Sequence, residues 1–200
     1  MAVMSTERAT DDAALLRRVA LGDDRAFAQL YEAHRRPLYR LAYGVLLDAD
    51  EARAAVQEAF LRLHQAAPSW EPRAQVGTWL YRVVLNHCLG LRQRFVRFAK
   101  PIWTSAPVKT PETNAVLTEA MRIVEKSLGR LPMKQRAVAC LYLESELTPA
   151  EIAPLVEMTP NHTRVTLHRA LTQIRSDLAE AGIDAPPPIE FASFTEELEN

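Results

Sequence analysis

Apolar side chains recur every three or four residues along the first half of the chain, which is the spacing of one face of an α-helix. The first stripe begins at Ala13, breaks at Gly22-Asp23-Asp24 and continues to Val45. After the turn-forming residues Asp48-Ala49-Asp50, a second stripe runs to Leu63. The pattern predicts a long amphipathic helix with a second helix packed beside it.

A third helix is predicted after a loop over residues 68–75, where two prolines disfavour helical backbone. It begins near Gly77-Thr78, with Thr78 as its N-cap. On a helical wheel its apolar stripe comprises Leu80, Val84, Cys88, Leu91 and Phe95. We therefore expect a disordered N-terminus over residues 1–12, followed by an all-helical domain over residues 13–98.

The composition changes between residues 99 and 114, where three X-Pro steps favour extended backbone and predict a flexible linker. Beyond it, helical patterns return near residues 115–129, 132–144, 149–156 and 160–180. They predict a second small helical domain over residues 115–180, followed by an acidic, proline-containing tail at residues 181–200. The predicted fold class is all-α, with two small helical domains joined by a flexible linker.

The second domain contains the pattern of a helix-turn-helix. Thr148-Pro149-Ala150-Glu151 has the residues of a capping box, and Thr159-Pro160 starts the next helix. Pro154 lies inside the first helix of the pair, so we expect that helix to be short or kinked near Ala153. In the second helix the inward face is predicted to be Thr163, Leu167, Leu171, Ile174 and Leu178. The outward face is predicted to be His162, Val165, Thr166, Arg169 and Gln173, with Asn161 at the exposed first turn.

Composition narrows the class of protein. With 48% hydrophobic and 24% charged residues the chain can bury a core, and its few glycines disfavour an all-β fold. Two cysteines without a CxxC pair, and five histidines without ligand spacing, predict neither a metal nor a cofactor. No phosphate loop or nucleophile elbow is present, which argues against an enzyme. Without a signal peptide or a long apolar run, the expected location is the cytoplasm.

Charge is segregated along the chain although the formal net charge is only −1. Residues 72–111 carry seven Lys or Arg and no acid, whereas residues 177–200 carry seven acids and no Lys or Arg. Within the basic segment, one face of the third helix groups Trp79, Arg82, Asn86, Gly90, Gln93 and Arg97. An aromatic ring, guanidinium groups and amides without a carboxylate suit single-stranded or melted nucleic acid.

These features also have purely structural interpretations. The basic helix face can be a solvated surface whose Trp79 closes the core, and Trp70 can either plug the bundle or receive an unstacked base. The helix-turn-helix pattern can be a plain pair of antiparallel helices. If it binds duplex DNA, its second helix enters the major groove. The expected contacts are then Asn161, His162, Val165, Thr166 and Arg169, with Arg164 and Arg175 near flanking phosphates.

Six motifs in order resemble those of a bacterial sigma factor of the extracytoplasmic-function (ECF) class, the compact type with only sigma regions 2 and 4. The motifs are GDDRAFAQLYEAHRRPLYRLA, AVQEAFLRL, TWLYR, LPMKQRAV, LTPAEIA and LHRAL. The resemblance extends from Asp12 to Leu178. It implies an alternative sigma factor that binds core RNA polymerase and initiates transcription, with region 2 melting the minus-ten element and region 4 reading the minus-thirty-five element.

The resemblance also implies contacts for particular residues and the partners they meet. Minus-ten DNA would meet Trp70, Arg73, Trp79, Arg82, Asn86, Gln93 and Arg97. Minus-thirty-five DNA would meet Asn161, His162, Arg164, Val165, Thr166 and Arg169. The β′ clamp of RNA polymerase would meet Glu51, Gln57, Glu58 and Leu61. Region 4 would dock on the β flap, and an anti-sigma factor, which can be a membrane protein, is expected as a regulatory partner.

Several residues depart from the family pattern. Glu157 stands where the turn usually has Gly, and Gly90 and Gln93 stand where Asp and Arg are usual. Two other functions stay open beside the sigma factor: a mimic that sequesters an anti-sigma factor, and a stand-alone helix-turn-helix regulator. The acidic tail, with Phe191 and Phe194, can fold back on a basic face, engage the polymerase or remain solvated.

Overall fold

A computed structural model describes residues 2–71, 75–98, 115–145 and 147–183 of the protein. Within these ranges the chain forms α-helices and no β-strand, which confirms the all-α fold there. The helices are α1 (Ala2–Ala20), α2 (Asp24–Leu46), α3 (Ala49–Ala66), α4 (Val76–Phe98), α5 (Ala115–Arg130), α6 (Met133–Glu144), α7 (Pro149–Ile152) and α8 (Pro160–Glu180). The predicted linker at 99–114, and the tail from residue 184 onward, lie outside the described residues.

Aspartate side chains begin two of the N-terminal helices. Asp23 Oδ1 accepts hydrogen bonds from the backbone N–H groups of Arg25 and Ala26, at 3.0 and 3.1 Å, in the first turn of α2. Asp48 caps the start of α3 in the same way. Between them Leu47 adopts a left-handed backbone with φ of 55°, which ends α2. These caps satisfy N–H groups that have no partner inside the helix. The short polar side chains of Asp23 and Asp48 therefore determine where α2 and α3 begin.

The first four helices form an N-terminal bundle in which α2 contacts α1, α3 and α4. The apolar stripes predicted from the sequence face its interior. Its largest fully buried side chains are Leu16, Leu30, Leu38, Leu41, Leu63, Leu80 and Leu85. Each buried leucine contributes roughly 1.5–3 kcal/mol relative to exposure, so this apolar core is the main source of stability for the bundle.

The chain becomes helical earlier than the sequence pattern predicts. Helix α1 begins at Ala2, so the expectation of disorder over residues 1–12 is wrong from that residue onward. The N-terminal residues look polar, yet Asp12 is buried and its carboxylate lies 2.8 Å from His34 Nε2 of α2. This polar contact anchors α1 without needing an apolar residue at that position.

Helix α4 also begins before the predicted N-cap. Its first residue is Val76, which is buried, and the Trp79 N–H donates to the Gln75 carbonyl at 3.0 Å. Thr78 therefore lies inside the first turn, and its assignment as N-cap is wrong. Burial of Val76 against the bundle extends the helix toward the loop, which local residue preference alone does not reveal.

In the C-terminal half, α8 contacts each of α5, α6 and α7. Thr148 and Glu151 form the predicted capping box at the start of α7. This helix ends at Ile152 and passes into a 3₁₀ turn, Ala153–Leu155, which confirms that Pro154 limits its length. The turn before α8 contains Glu157 with φ of 55°, a left-handed conformation that glycine adopts more easily.

The two halves pack together rather than standing apart. Helix α6 lies against α2, and α4 also contacts α6. Buried residues of both halves, such as Leu41 of α2 and Leu141 of α6, belong to one continuous hydrophobic core. The described arrangement is therefore closed, with the helix-turn-helix held beside the N-terminal bundle.

Candidate nucleic-acid interface

Two tryptophan rings meet at the start of α4. The rings of Trp70 and Trp79 are 5.4 Å apart between centroids and inclined at 79°, an edge-to-face contact. Both side chains are half-buried and pack against the hydrophobic core. Such an aromatic pair adds about 0.5–1.5 kcal/mol beyond its buried area. Each ring thus contributes to the core and keeps part of its surface available, so the two interpretations of these residues are compatible.

Arg82 and Asn86 extend the same side of α4 beyond Trp79. They follow it by three and seven residues, which is one helix face, and both are exposed. The opposite side of the helix is formed by Leu80, Val84 and Cys88, all fully buried. The core therefore fixes the rotation of α4 and directs Arg82 and Asn86 outward. The segment from residue 72 to 111 contains no Asp or Glu that could neutralise this face locally.

The prediction also names Arg73, Gly90, Gln93 and Arg97 as part of this interface. Arg73 lies outside the described residues, and so do the side chains of Gln93 and Arg97, although their backbone continues α4. Gly90 is half-buried, and a Cβ there would have open space around it. The described part of the face is thus Trp79, Arg82, Asn86 and Gly90, with Trp70 of the preceding loop beside it.

Helix α8 presents a second polar surface at its N-terminal half. Thr159 caps the helix by accepting from the His162 N–H at 3.3 Å, and Pro160 occupies the first helical position. Five of the predicted base-reading and phosphate residues are exposed: Asn161, His162, Arg164, Val165 and Arg169. Arg175 is exposed further along the helix.

Thr166 does not belong to this surface. Thr166 is only 3% exposed, so the prediction that it faces outward is wrong. The predicted inward face of this helix contains only Thr163, Leu167, Leu171, Ile174 and Leu178. Because α8 contacts α5, α6 and α7, the buried arc is wider and takes in Thr166 together with Ala170.

Helix α3 carries an exposed leucine among polar residues. Leu61 is 54% exposed, and its neighbours on the same side, Gln57 and Glu58, are exposed and half-buried respectively. Glu58 accepts a hydrogen bond from Arg62 Nε at 2.6 Å, and Glu51 is half-buried about two turns earlier. An exposed apolar side chain framed by carboxylates and an amide is a suitable anchor for a protein partner.

The cysteines have no part in these surfaces. Cys88 and Cys140 are both buried free thiols, and burial raises the pKa of each to about 12. Among the described residues no group of three or more His, Cys, Asp or Glu side chains is placed to hold a metal ion. None of the described helices has the length and hydropathy of a membrane span.

The contacts that join the two halves of the chain cannot be predicted from the sequence. Arg40 pairs with Glu144 across 104 positions of sequence, and Tyr81 bonds to the backbone of the same glutamate. No local periodicity relates such distant residues, so only the folded arrangement reveals them.

Comparisons with known proteins match both halves. The sigma-70 region 2 family matches residues 30–94. The ECF RNA polymerase sigma factor SigM of Mycobacterium tuberculosis is 37% identical over 127 residues, which is 63% of this chain and 63% of that protein. The ECF RNA polymerase sigma factor SigW of Bacillus subtilis is 26% identical over 182 residues, covering 82% of this chain and 95% of that protein.

A solved structure has the same fold. CnrH, in its complex with the cytosolic domain of CnrY, superposes with a TM-score of 0.62 and 24% sequence identity. The match covers 86% of this chain and 98% of CnrH, so it includes helices from both halves. This similarity supports the architecture described above.

Proposed function

We propose that this chain, which belongs to the ECF group of the sigma-70 family, is an alternative sigma factor acting in the cytoplasm. It binds core RNA polymerase and directs promoter recognition and transcription initiation. The observation that carries the proposal is the face of α4, where a half-exposed tryptophan pair lies beside exposed Arg82 and Asn86. The N-terminal bundle, residues 13–98, acts as sigma region 2, and residues 115–180 act as region 4.

The α4 face is suited to capture a melted minus-ten element. A base leaving the duplex can stack on the free part of Trp70 or Trp79, and stacking of this kind contributes about 1–3 kcal/mol per base. Arg82 contacts a strand phosphate and Asn86 offers an amide to a base edge. Arg73, Gln93 and Arg97 extend this interface in the proposal. Together these contacts offset an unstacking cost of a few kcal/mol, so melting needs no nucleotide hydrolysis.

The exposed start of α8 is suited to read duplex DNA at the minus-thirty-five element. Its first turns enter the major groove, where Asn161, His162 and Arg169 reach base edges and Val165 contacts a thymine methyl group. Arg164 contacts a phosphate on the flank. No acid lies between residues 158 and 176, so this helix surface attracts the phosphate backbone.

Polymerase contacts complete the proposal. The α3 surface made by Glu51, Gln57, Glu58 and Leu61 docks on the β′ clamp, with Leu61 as its apolar anchor. Residues 115–180 dock on the β flap. An anti-sigma factor is the proposed regulator, binding the chain when transcription is off.

The decisive experiment reconstitutes the full chain with core RNA polymerase and maps transcripts on genomic DNA. We expect transcripts that start at a defined promoter class only when the chain is present, and a loss of about tenfold or more with Arg82→Ala. Arg17→Ala is the matched control, since Arg17 is an exposed arginine on α1 outside the proposed surfaces. Tight binding to an anti-sigma factor with no transcript from any promoter would instead indicate a sigma-like mimic.

A further inference from the structure

Three arginines on the exposed side of α8 lack a carboxylate partner. Arg164, Arg169 and Arg175 are exposed, and none of them forms an ion pair with the described residues. Val165 lies among them and is 41% exposed. Exposed arginines on other helices do pair with nearby acids, as in Arg53–Asp50, Arg62–Glu58 and Arg122–Glu119. We call the surface formed by Arg164, Val165, Arg169 and Arg175 the cationic face of α8.

Charge changes sign along α8. The three arginines precede residue 176, whereas Asp177 and Glu180 stand in the last turns of the helix. The N-terminal end of a helix also carries a partial positive charge from its backbone dipoles. A carboxylate that approaches α8 is therefore attracted to its N-terminal half and repelled at its C-terminal end.

The chain leaves α8 through a turn rather than along the helix axis. Gly182 has a φ of 72°, and its N–H donates to the Ala179 carbonyl at 2.9 Å. The Ile183 N–H donates to the Leu178 carbonyl at 3.0 Å, which completes a Schellman motif. Ile183 then packs against the hydrophobic core. The residues that follow therefore start beside α8, where they can run back along it.

The sequence of residues 184–200 complements the cationic face. This tail contains five acids, at positions 184, 190, 196, 197 and 199, and no Lys or Arg. Phe191, Phe194 and Leu198 have the i, i+3, i+7 spacing of one helix face. An apolar stripe bordered by carboxylates matches the exposed Val165 bordered by arginines.

The length of the tail also matches the distance it has to cover. Residues 184–188 include three prolines and span about 16 Å as polyproline II backbone, at about 3.1 Å per residue. In helical form, residues 189–198 add about 15 Å. Arg169 and Arg164 lie about 17 and 24 Å back along the helix axis from Glu180. A tail running antiparallel to α8 therefore brings its acidic part level with both arginines.

We propose that residues 184–200 fold back along α8 and occupy its cationic face, with the glutamates beside the arginines and the apolar stripe against Val165. The tail then competes with minus-thirty-five DNA for the same side chains. The inference rests on the proposed function for the identity of this competing ligand. Because the tail belongs to the same chain, its effective concentration at α8 is about millimolar, so weak contacts suffice.

A spin label on the tail tests docking without DNA. Cys88 and Cys140 are buried, so a nitroxide can be attached selectively to Ser193→Cys in the full chain. We expect the label to broaden the amide NMR resonances of residues 161–169 strongly and that of Arg17, on α1, little. In 1 M salt the Debye length falls to about 3 Å, and the broadening should decrease.

Two results of the spin-label experiment would overturn the proposal. One is broadening on a surface other than α8, or no selective broadening at all. The other is broadening that disappears on dilution, which would assign the cationic face to the tail of a second copy.

Neutralising the tail should strengthen DNA binding. The test variant removes three charges in the full chain: Glu190→Gln, Glu196→Gln and Glu197→Gln. The matched control removes three charges from exposed positions of the N-terminal bundle: Asp11→Asn, Asp24→Asn and Asp50→Asn. If the tail covers the face in about 70–90% of molecules, the apparent Kd for a minus-thirty-five duplex is raised about three- to tenfold. We expect the tail variant to recover most of this factor, and the control to gain only the smaller effect of its net charge.

The outcomes separate docking from the proposed function. Equal gains in affinity for the two triple variants would overturn docking and leave DNA binding by α8 intact. Selective broadening of α8, with no duplex bound by the wild-type chain or either variant, would support docking and count against the proposed function.

Discussion

The carboxylate of Asp12 lies 2.8 Å from Nε2 of His34, joining α1 to α2. Their side chains are 12% and 18% exposed, so the contact is largely shielded from water. The His34 ring also lies close to Gly77 of α4. A Cβ placed on Gly77 would be 3.3 Å from Cε1 of His34. One polar pair therefore fixes the relative positions of three helices of the N-terminal bundle.

Removal of this contact should destabilise the bundle. We expect Asp12→Ala to lower the free energy of unfolding by about 1.5–3 kcal/mol, the usual range for a hydrogen bond to a charged group. Asp11→Ala is the matched control, because Asp11 is exposed and should change stability little. Urea denaturation followed by circular dichroism measures both. Equal midpoints for the two variants would show that the pair adds nothing.

The C-terminal helices should lose stability in acid through Asp177. The Ser127 hydroxyl is the largest cause that holds the pKa of Asp177 below its ordinary value of 3.8, and Gln173 and Arg130 act in the same direction. Because the folded pKa is lower than the unfolded pKa, this stability is present above pH 3.8 and is lost as pH falls through the folded pKa. Asp177→Asn should therefore lower the melting temperature at pH 6 more than at pH 3. A pH-independent difference would contradict this linkage.

Promoter melting should depend on the tryptophan pair. Trp79→Ala removes a stacking surface, and we expect open-complex formation to fall about 5- to 150-fold, from 1–3 kcal/mol of stacking energy. Permanganate reactivity of unpaired thymines reports the open complex. Trp79→Phe keeps an aromatic ring on the core and should retain much of the activity. If both variants melt promoters as well as wild type at unchanged thermal stability, the ring has no role in melting.

On α8, exposed side chains should contribute to DNA binding and buried ones should not. We expect Arg169→Ala to weaken binding to minus-thirty-five DNA by about 5- to 150-fold, the range for one good base contact. Thr166→Val should leave that affinity unchanged, since Thr166 is buried. Fluorescence anisotropy on a labelled duplex compares the two variants. A larger effect from Thr166→Val than from Arg169→Ala would reverse the assignment.

Two exposed leucines allow a matched test of polymerase docking. Leu61 is 54% exposed on α3, and Leu21 is 89% exposed at the end of α1. Leu61→Arg should weaken binding to core polymerase at least about tenfold, as loss of a central apolar anchor does. Leu21→Arg adds the same charge elsewhere and should bind as wild type. Surface plasmon resonance on immobilised core enzyme gives both affinities.

Most of the architecture follows from local patterns in the sequence. Asp23, Asp48 and the Thr148 capping box are recognisable by residue type, and the leucine spacing locates the buried faces. Pro154 correctly predicts a short α7 because the missing N–H acts within its own turn. Features decided within about one helical turn are thus predictable from the chain alone.

The features that escape prediction depend on distant neighbours. A wheel for α8 cannot tell that three helices surround it, so Thr166 was assigned to the wrong face. Asp12 falls in a segment whose sequence predicts disorder, because its partner, His34, lies 22 residues away on another helix. The Arg40–Glu144 pair spans 104 positions and leaves no local trace.

The burial of the two thiols determines how the chain meets oxidants. Cys88 and Cys140 are this protein's only cysteines, and with their pKa raised to about 12 almost none of either is thiolate at neutral pH. Peroxides and similar oxidants attack the thiolate form, so neither cysteine makes an effective sensor within the folded chain. Direct oxidation of either cysteine therefore requires the helices around it to open first.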